Sequence, residues 1–221
     1  MKIGLIGYGK MNRLVESLAK EHEICARITS DSPLSNDDLA ICDLFIDFST
    51  PSAVMPHIKR IAAAKKKHLI GTTGWDSIKE SEEIVEQCGS AALFAPNFSL
   101  GMALFIQLLE EAKKLLPQFA TAGVEYHHCG KADTPSGTAR EIGKRLNIEF
   151  SSVRLGSIVG IHEVIFDSPV ERISLKHEAQ NRSGFALGAI QAAEWLIDKT
   201  GWYTLHDMLR TLYGLDHAFQ K

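Results

Sequence analysis

A chain of 221 residues, 45% apolar and 23% charged, has the composition of a globular protein large enough for an open sheet and a smaller second domain. Its formal net charge of −3 gives no general attraction to nucleic acid or to an anionic membrane, and no apolar run nears the roughly 20 residues of a membrane helix. The apolar start at residues 3–6 is cut short by Gly7 and Lys10, and four scattered cysteines (Cys25, Cys42, Cys88, Cys129) fit reduced, mostly buried thiols, so the expectation is a soluble, cytoplasmic protein without a signal peptide.

Residues 2–6 read as a short apolar strand. Gly7-Tyr8-Gly9-Lys10-Met11-Asn12 follows, then a helical pattern through Leu14, Val15 and Leu18. Strand, glycine turn and helix in this order are the context of a dinucleotide-binding turn: Gly7 permits the tight turn and Gly9 the close approach of a pyrophosphate. Asn12 stands where the generic fingerprint has its third glycine, and the expectation is that it removes the closest helix–strand contact. Residues 23–28 are a second strand, followed by Thr29, Ser30 and Asp31. Asp31 suits a ribose hydroxyl, as in NADH, and Thr29 and Ser30 tolerate the 2′-phosphate of NADPH, so the choice stays open.

Residues 32–40 are polar, and residues 41–48 are apolar enough for a strand buried on both faces of a parallel sheet. That strand closes in Asp47-Phe48-Ser49-Thr50-Pro51. Two further strands, 67–70 and 91–94, end in Gly71-Thr72-Thr73-Gly74 and Ala95-Pro96-Asn97-Phe98-Ser99. Ligands of open parallel sheets bind beyond the carboxyl ends of the strands, so these endings and the glycine turn are expected to line one crevice. Residues 100–116 read as a long helix with Leu104, Leu108 and Leu115 on its apolar face, stopped by Pro117.

Residues 121–128 form the next strand, and 129–135 a loop. Ser136 then reads as the N-cap of a helix whose Ala139, Ile142, Gly143 and Leu146 repeat at helical spacing. This unit gathers His127, His128 and Lys131 with the first amides of a helix at Gly137 and Thr138. Such a nest suits a carboxylate, and imidazole and ammonium groups carry protons. Competing readings exist: neighbouring strand histidines point to opposite faces, Lys131 in a loop is by default a solvated charge, and Ser136 alone is a helix cap. A zinc site from His127, His128, Cys129 and Asp133 is disfavoured, because adjacent strand residues diverge and no second ligand pair follows; no metal is expected. Strands at 153–159, 162–166 and 171–177 make a mixed or antiparallel sheet, a small-residue helix spans 186–197, and a last helix 202–212.

The run Glu125-Tyr126-His127-His128-Cys129-Gly130-Lys131-Ala132-Asp133-Thr134-Pro135-Ser136-Gly137-Thr138-Ala139 resembles the signature of the dihydrodipicolinate reductase family. The strand endings at Asp47, Gly71 and Ala95 resemble the family's nicotinamide-contacting motifs. Residues 177–189 resemble its His-Arg-Ala-x-x-Arg motif, with Glu178 where Arg is usual and Arg182 near the substrate face. The 32–40 segment looks trimmed. The resemblance implies an NADPH- or NADH-dependent oxidoreductase that reduces a cyclic imine dicarboxylate to tetrahydrodipicolinate in the diaminopimelate route of lysine biosynthesis. It implies a Rossmann-like parallel-sheet domain (1–98 and 183–221) and an α+β domain with a mixed or antiparallel sheet (99–182) for substrate and for assembly as a homotetramer.

On the same footing His127 and Lys131 are the catalytic candidates, with Lys131 as proton donor. His128, Gly137 and Thr138 are substrate-binding; Gly7, Tyr8, Gly9, Lys10, Met11, Gly71, Thr72, Thr73, Ala95, Pro96, Asn97 and Phe98 are cofactor-binding; Glu125 and Asp133 set loop shape and imidazole tautomer. The alternatives are another two-domain NAD(P)-dependent oxidoreductase, a non-catalytic dinucleotide sensor, which would not need His127, His128 and Lys131, and, least favoured, a zinc hydrolase.

Overall fold

The structure, a computed structural model, describes residues 1–214. The chain divides into two compact units, one of Met1–Ser99 with the chain from Phe185 onward, the other Leu100–Gly184. Residues 215–221, expected in the dinucleotide-binding domain, lie outside the described residues. No helix of the described residues is long and apolar enough to cross a membrane.

The first unit begins with β1 (Lys2–Ile6), α1 (Lys10–Leu18), β2 (Glu23–Ile28), α2 (Asn36–Ile41), β3 (Leu44–Asp47), α3 (Pro51–Ala63), β4 (Lys67–Ile70), α4 (Ile78–Gln87) and β5 (Ala91–Phe94). The second unit follows: α5 (Leu100–Leu115), β6 (Ala120–His127), α6 (Gly137–Leu146), β7 (Phe150–Arg154), β8 (Gly160–Asp167) and β9 (Arg172–Ala179). α7 (Ser183–Leu196) leads back to the first unit, which ends with β10 (Gly201–Thr204) and α8 (Leu205–Tyr213).

In the first unit the strands lie in the order β10-β5-β4-β3-β1-β2, every pair parallel. The order turns back at β1, which has β2 on one side and β3 on the other; such a switch point leaves a crevice at the carboxyl ends. Ile3, Leu5, Leu44, Phe45, Ile46 and Leu69 are wholly buried, as strands covered on both faces require. Each such side chain contributes about 1.5–3 kcal/mol through the water it sheds. In the second unit the order is β7-β6-β8-β9, with β6 parallel to β7 and the other pairs antiparallel, which is the mixed sheet the sequence predicts. Phe105, Ile106 and Leu109 of α5, Ile142 and Leu146 of α6, and Val164 and Phe166 of β8 form its core.

Several expectations are corrected. Ile41 ends α2, whose start carries a capping box at Ser35 and Asp38, so β3 begins only at Leu44. The apolar face of α5 is Met102, Phe105, Ile106 and Leu109, whereas Leu108 and Leu115 point to solvent. The strand expected at 153–159 is Phe150–Arg154. Trp202 and Tyr203 form edge strand β10 beside β5 rather than opening the last helix; Thr204 then caps α8 with its hydroxyl on the Asp207 amide. Of the four thiols only Cys42 is buried; Cys25 and Cys88 are half-buried and Cys129 is exposed.

Candidate functional site

Two places in the chain carry chemistry, one in each unit. In the first unit, Gly7 has φ +79°, and a Cβ there would lie 2.4 Å from the Phe48 carbonyl oxygen, so glycine is required. Gly9 caps α1, and a Cβ on it would meet no atom within 4 Å. No side chain caps the α1 terminus, and its first turn carries no acidic residue. Backbone amides at an uncapped, acid-free helix start, reached past a glycine with open space over it, fit a pyrophosphate. Asn12 does more than the sequence suggests. Its wholly buried amide donates to the carbonyls of Ile6 (2.8 Å), Gly7 (3.0 Å) and Ile46 (3.3 Å), so it joins the turn to β1 and β3 where a glycine would only make room.

The other crevice residues divide by exposure. Gly9, Lys10, Thr73 and Pro96 are exposed, and Gly7, Tyr8, Met11, Gly71 and Asn97 are half-buried. Thr72, Ala95 and Phe98 are buried. The Thr72 hydroxyl turns inward to the Asp47 carboxylate at 3.2 Å, and Phe98 packs edge-on against Phe48 with ring centroids 5.9 Å apart. These three can offer a ligand their main chain, not their side chains. A Cβ on Gly71 would fall 2.1 Å from the Phe48 ring, which explains the glycine there. Tyr8 shares Glu16 with Arg27: its hydroxyl and the Arg27 guanidinium both donate to that carboxylate. The Arg27 guanidinium carbon lies 5.8 Å from the Tyr8 ring centroid and that of Arg13 lies 5.3 Å from it.

In the second unit, β6 ends at His127 and α6 starts after Ser136, whose hydroxyl accepts the Ala139 amide at 3.1 Å. The centre of this unit is Glu125, wholly buried on β6. Its Oε1 accepts from the Ser136 amide (2.9 Å) and the Ser152 hydroxyl (2.7 Å), with the Arg154 guanidinium 3.5 Å away. Its Oε2 faces His127 Nε2 at 3.1 Å and His162 Nε2 at 3.6 Å. Burial raises the Glu125 pKa, but the hydrogen bonds from Ser136 and Ser152 and the nearby His127 outweigh it and hold it at about 2.

His127 is therefore not a side chain open to a ligand. It is 6% exposed, with Nε2 on Glu125 and Nδ1 3.2 Å from the Val159 carbonyl. Both neighbours are acceptors, so both hydrogen bonds form only when the ring carries two protons. His128 is half-buried in the loop beside Gly130. Lys131 is exposed enough to act but is paired, with Nζ 2.6 Å from Asp133 Oδ1. Asp133 Oδ2 accepts the Gly137 amide at 3.2 Å, which corrects the expectation of a free amide there. Thr138 follows within the first turn of α6. Arg182 is exposed, and Glu178 pairs with Lys176 at 2.8 Å rather than facing the site.

Sequence reasoning missed Ser152, Arg154 and His162. Arg154 stitches the loop to β7, donating to the Asp133 carbonyl (2.6 Å) and the Thr134 hydroxyl (2.9 Å). His162 meets the Ser136 hydroxyl at 3.2 Å, and burial with the nearby His127 charge lowers its pKa to about 4. The alternation along β8 was the available signal: Gly160, His162, Val164 and Phe166 all face inward, and a histidine in that series needs a polar partner. Glu125, His127 and His162 bring ligand-type atoms within 4.8 Å of one another, a different set from the one considered for zinc, but the carboxylate is already served by hydrogen bonds from His127, Ser136 and Ser152.

Comparison with known proteins gives a consistent result. Residues 1–98 match the family described as dihydrodipicolinate reductase, N-terminus, and residues 101–209 match dihydrodipicolinate reductase, C-terminus. The 4-hydroxy-tetrahydrodipicolinate reductase of Christiangramia forsetii is 34% identical over 96% of this chain and 99% of its own length. That of Buchnera aphidicola subsp. Schizaphis graminum is 36% identical over 83% of this chain and 77% of its own. Among solved structures, dipicolinate-bound dihydrodipicolinate reductase from Paenisporosarcina sp. TG-14 superposes with a TM-score of 0.81 at 21% identity, covering 92% of this chain and 97% of that one. An amine dehydrogenase from Mycobacterium smegmatis shares the fold at a TM-score of 0.66 and 8% identity over 94% of this chain and 95% of its own.

Proposed function

The chain belongs to the dihydrodipicolinate reductase family, and on that footing we propose how its residues reduce a dihydrodipicolinate-type cyclic imine to tetrahydrodipicolinate with NADPH or NADH, a step of the diaminopimelate route to lysine. It is an NAD(P)H-dependent oxidoreductase. The observation that carries the reading is the β6–loop–α6 unit. A buried carboxylate and two imidazoles brace a loop that presents an ammonium and a helix start.

The bound dinucleotide supplies a hydride. The amides of Tyr8, Lys10 and Met11 would hold its pyrophosphate, with Gly7 and Gly9, whose own amides donate to the Ile28 and Gly7 carbonyls, supplying the turn and the open approach, and Gly71, Thr72, Thr73, Ala95, Pro96, Asn97 and Phe98 would flank its nicotinamide side, the buried ones through their main chain. In the second unit His128 binds one carboxylate of the substrate, and Gly137 and Thr138 bind the other through the helix amides and the Thr138 hydroxyl. Lys131 stabilises the charge that develops in the ring and delivers the proton. For this its ammonium and the Gly137 amide exchange Asp133 for the substrate. His127, held by Glu125 and Val159, orients the loop and adds positive charge. The first unit is thus the dinucleotide-binding domain, and the second serves substrate and assembly. A homotetramer built through the second sheet is supported by apolar Val153 of β7 and Ile173 of β9, which are 37% and 38% exposed. A cytoplasmic setting suits the charge balance and the scattered cysteines.

The test is absorbance of NADPH and of NADH with and without the cyclic imine. Consumption that requires the imine is expected. Consumption driven by amino acids instead would move the chain to another oxidoreductase reaction, and dinucleotide binding without turnover of any substrate would make it a sensor.

A further inference from the structure

We propose that Asp47 is a positioning residue for dinucleotide binding, locking the loop after β3 to the loop after β4. Its carboxylate is wholly buried at the carboxyl end of β3, and its Cα is in register with Ile6 of β1 and Ile70 of β4, the last residues before the Gly7 turn and the Gly71 loop.

The two oxygens have separate tasks. Oδ1 accepts the Ser49 amide at 2.9 Å and the Thr72 hydroxyl at 3.2 Å, one donor from each loop. Oδ2 faces His57 Nδ1 of α3 at 2.9 Å and His68 Nε2 of β4 at 3.3 Å. A buried carboxylate costs several kcal/mol unless its lone pairs are met. Here the imidazoles of α3 and β4 meet one oxygen, and the loops meet the other to complete the set. Burial raises the Asp47 pKa, but the hydrogen bonds from both histidines outweigh it and keep the group ionised. The loops therefore hold one geometry before any ligand arrives, and a preorganised loop pays less ordering entropy on binding. The mechanism gives Asp47, His57 and His68 no contact with a reacting atom, so they act through Thr72 and Ser49. The inference rests on the reading that these two loops hold the dinucleotide.

The experiment is direct titration of NADPH and NADH by fluorescence against wild type, Thr72→Val, Thr72→Ser, Asp47→Asn and the Thr72→Val, Asp47→Asn double variant, with the imine KM measured at saturating dinucleotide. Thr72→Val is expected to raise the dinucleotide Kd by about tenfold, the scale of one freed side chain and its loop. Thr72→Ser keeps the hydroxyl and should restore wild-type affinity. The double variant should lose less affinity than the sum of the two single losses, because Asp47→Asn keeps an oxygen for the Thr72 hydroxyl but weakens the same bond that Thr72→Val removes, and the imine KM should not move. Equal affinity of Thr72→Val and wild type, or equal impairment of Thr72→Val and Thr72→Ser, overturns the role of Asp47; both outcomes are readable even if Asp47→Asn does not fold. Wild type that binds dinucleotide but does not reduce the imine overturns the functional reading and leaves this inference standing. Wild type that binds no dinucleotide overturns both.

Discussion

The Lys131 ammonium lies 2.6 Å from the Asp133 carboxylate, so the cation proposed to serve the substrate already holds an anion of the chain's own. The second Asp133 oxygen occupies the Gly137 amide at 3.2 Å. Under the proposed mechanism an incoming carboxylate displaces a carboxylate. Asp133→Asn removes the competing charge and keeps an acceptor for the Gly137 amide. Both groups are partly exposed, so the change is small: a substrate KM lowered by about threefold, in line with the modest worth of exposed pairs. Steady-state kinetics at saturating NADPH check this. A raised KM would mean that Asp133 shapes the loop and does not compete.

Lys131 and His127 should separate in their effects on folding. Lys131→Ala is expected to lower kcat by roughly a hundredfold, the scale of a lost acid group, with little change in Tm. His127→Ala is expected to lower kcat by roughly as much and also to lower Tm, because it strips a donor from the buried Glu125. Kinetics and melting curves on the same preparations make the comparison. Near-normal turnover in both variants would remove the β6–loop–α6 unit from the chemistry.

Acid should destabilise the second unit in two stages. His162 is kept neutral by burial, its pKa lowered from 6.5 to about 4, so the unfolded chain takes up its proton first as pH falls. Its contribution is complete above pH 6.5 and is lost between there and pH 4. Glu125 is kept charged, its pKa lowered from 4.5 to about 2, and its contribution is lost between those values. The His162 part is on the order of 3 kcal/mol by pH 4. Urea midpoints at neutral and mildly acidic pH should fall steadily in wild type and more shallowly in His162→Asn. Parallel slopes in the two proteins would contradict the assignment.

Asn12 should matter to folding as much as to binding. Its amide serves three carbonyls from a wholly buried position, so Asn12→Ala is expected to cost about 2 kcal/mol by leaving buried acceptors unpaired. Asn12→Gly, which restores the usual fingerprint, should cost at least as much. Chemical denaturation measures the loss; wild-type stability of Asn12→Gly would show that the three bonds contribute nothing net.

The sequence by itself determined strands β1, β2, β4 and β5 and the turns that end them, because each signal there is local: apolar runs end in glycine and polar residues. It also placed Lys131, Ser136, Gly137 and Thr138 in one loop and helix start, since they are neighbours in the chain. Only the tertiary structure decided which of the paired histidines is buried, because alternation says that His127 and His128 point apart but not which face is covered. For the same reason helical spacing revealed α5 but put Leu108 and Leu115 on the wrong side of it. Glu125 became the centre of its unit through Ser152, Arg154 and His162, which sit on β7 and β8, and Asp47 met His57, His68 and Thr72 from α3, β4 and the loop beyond. Those partners are brought together by strand pairing and register. A buried carboxylate must find donors wherever the fold supplies them, and periodicity along one strand does not say where that will be.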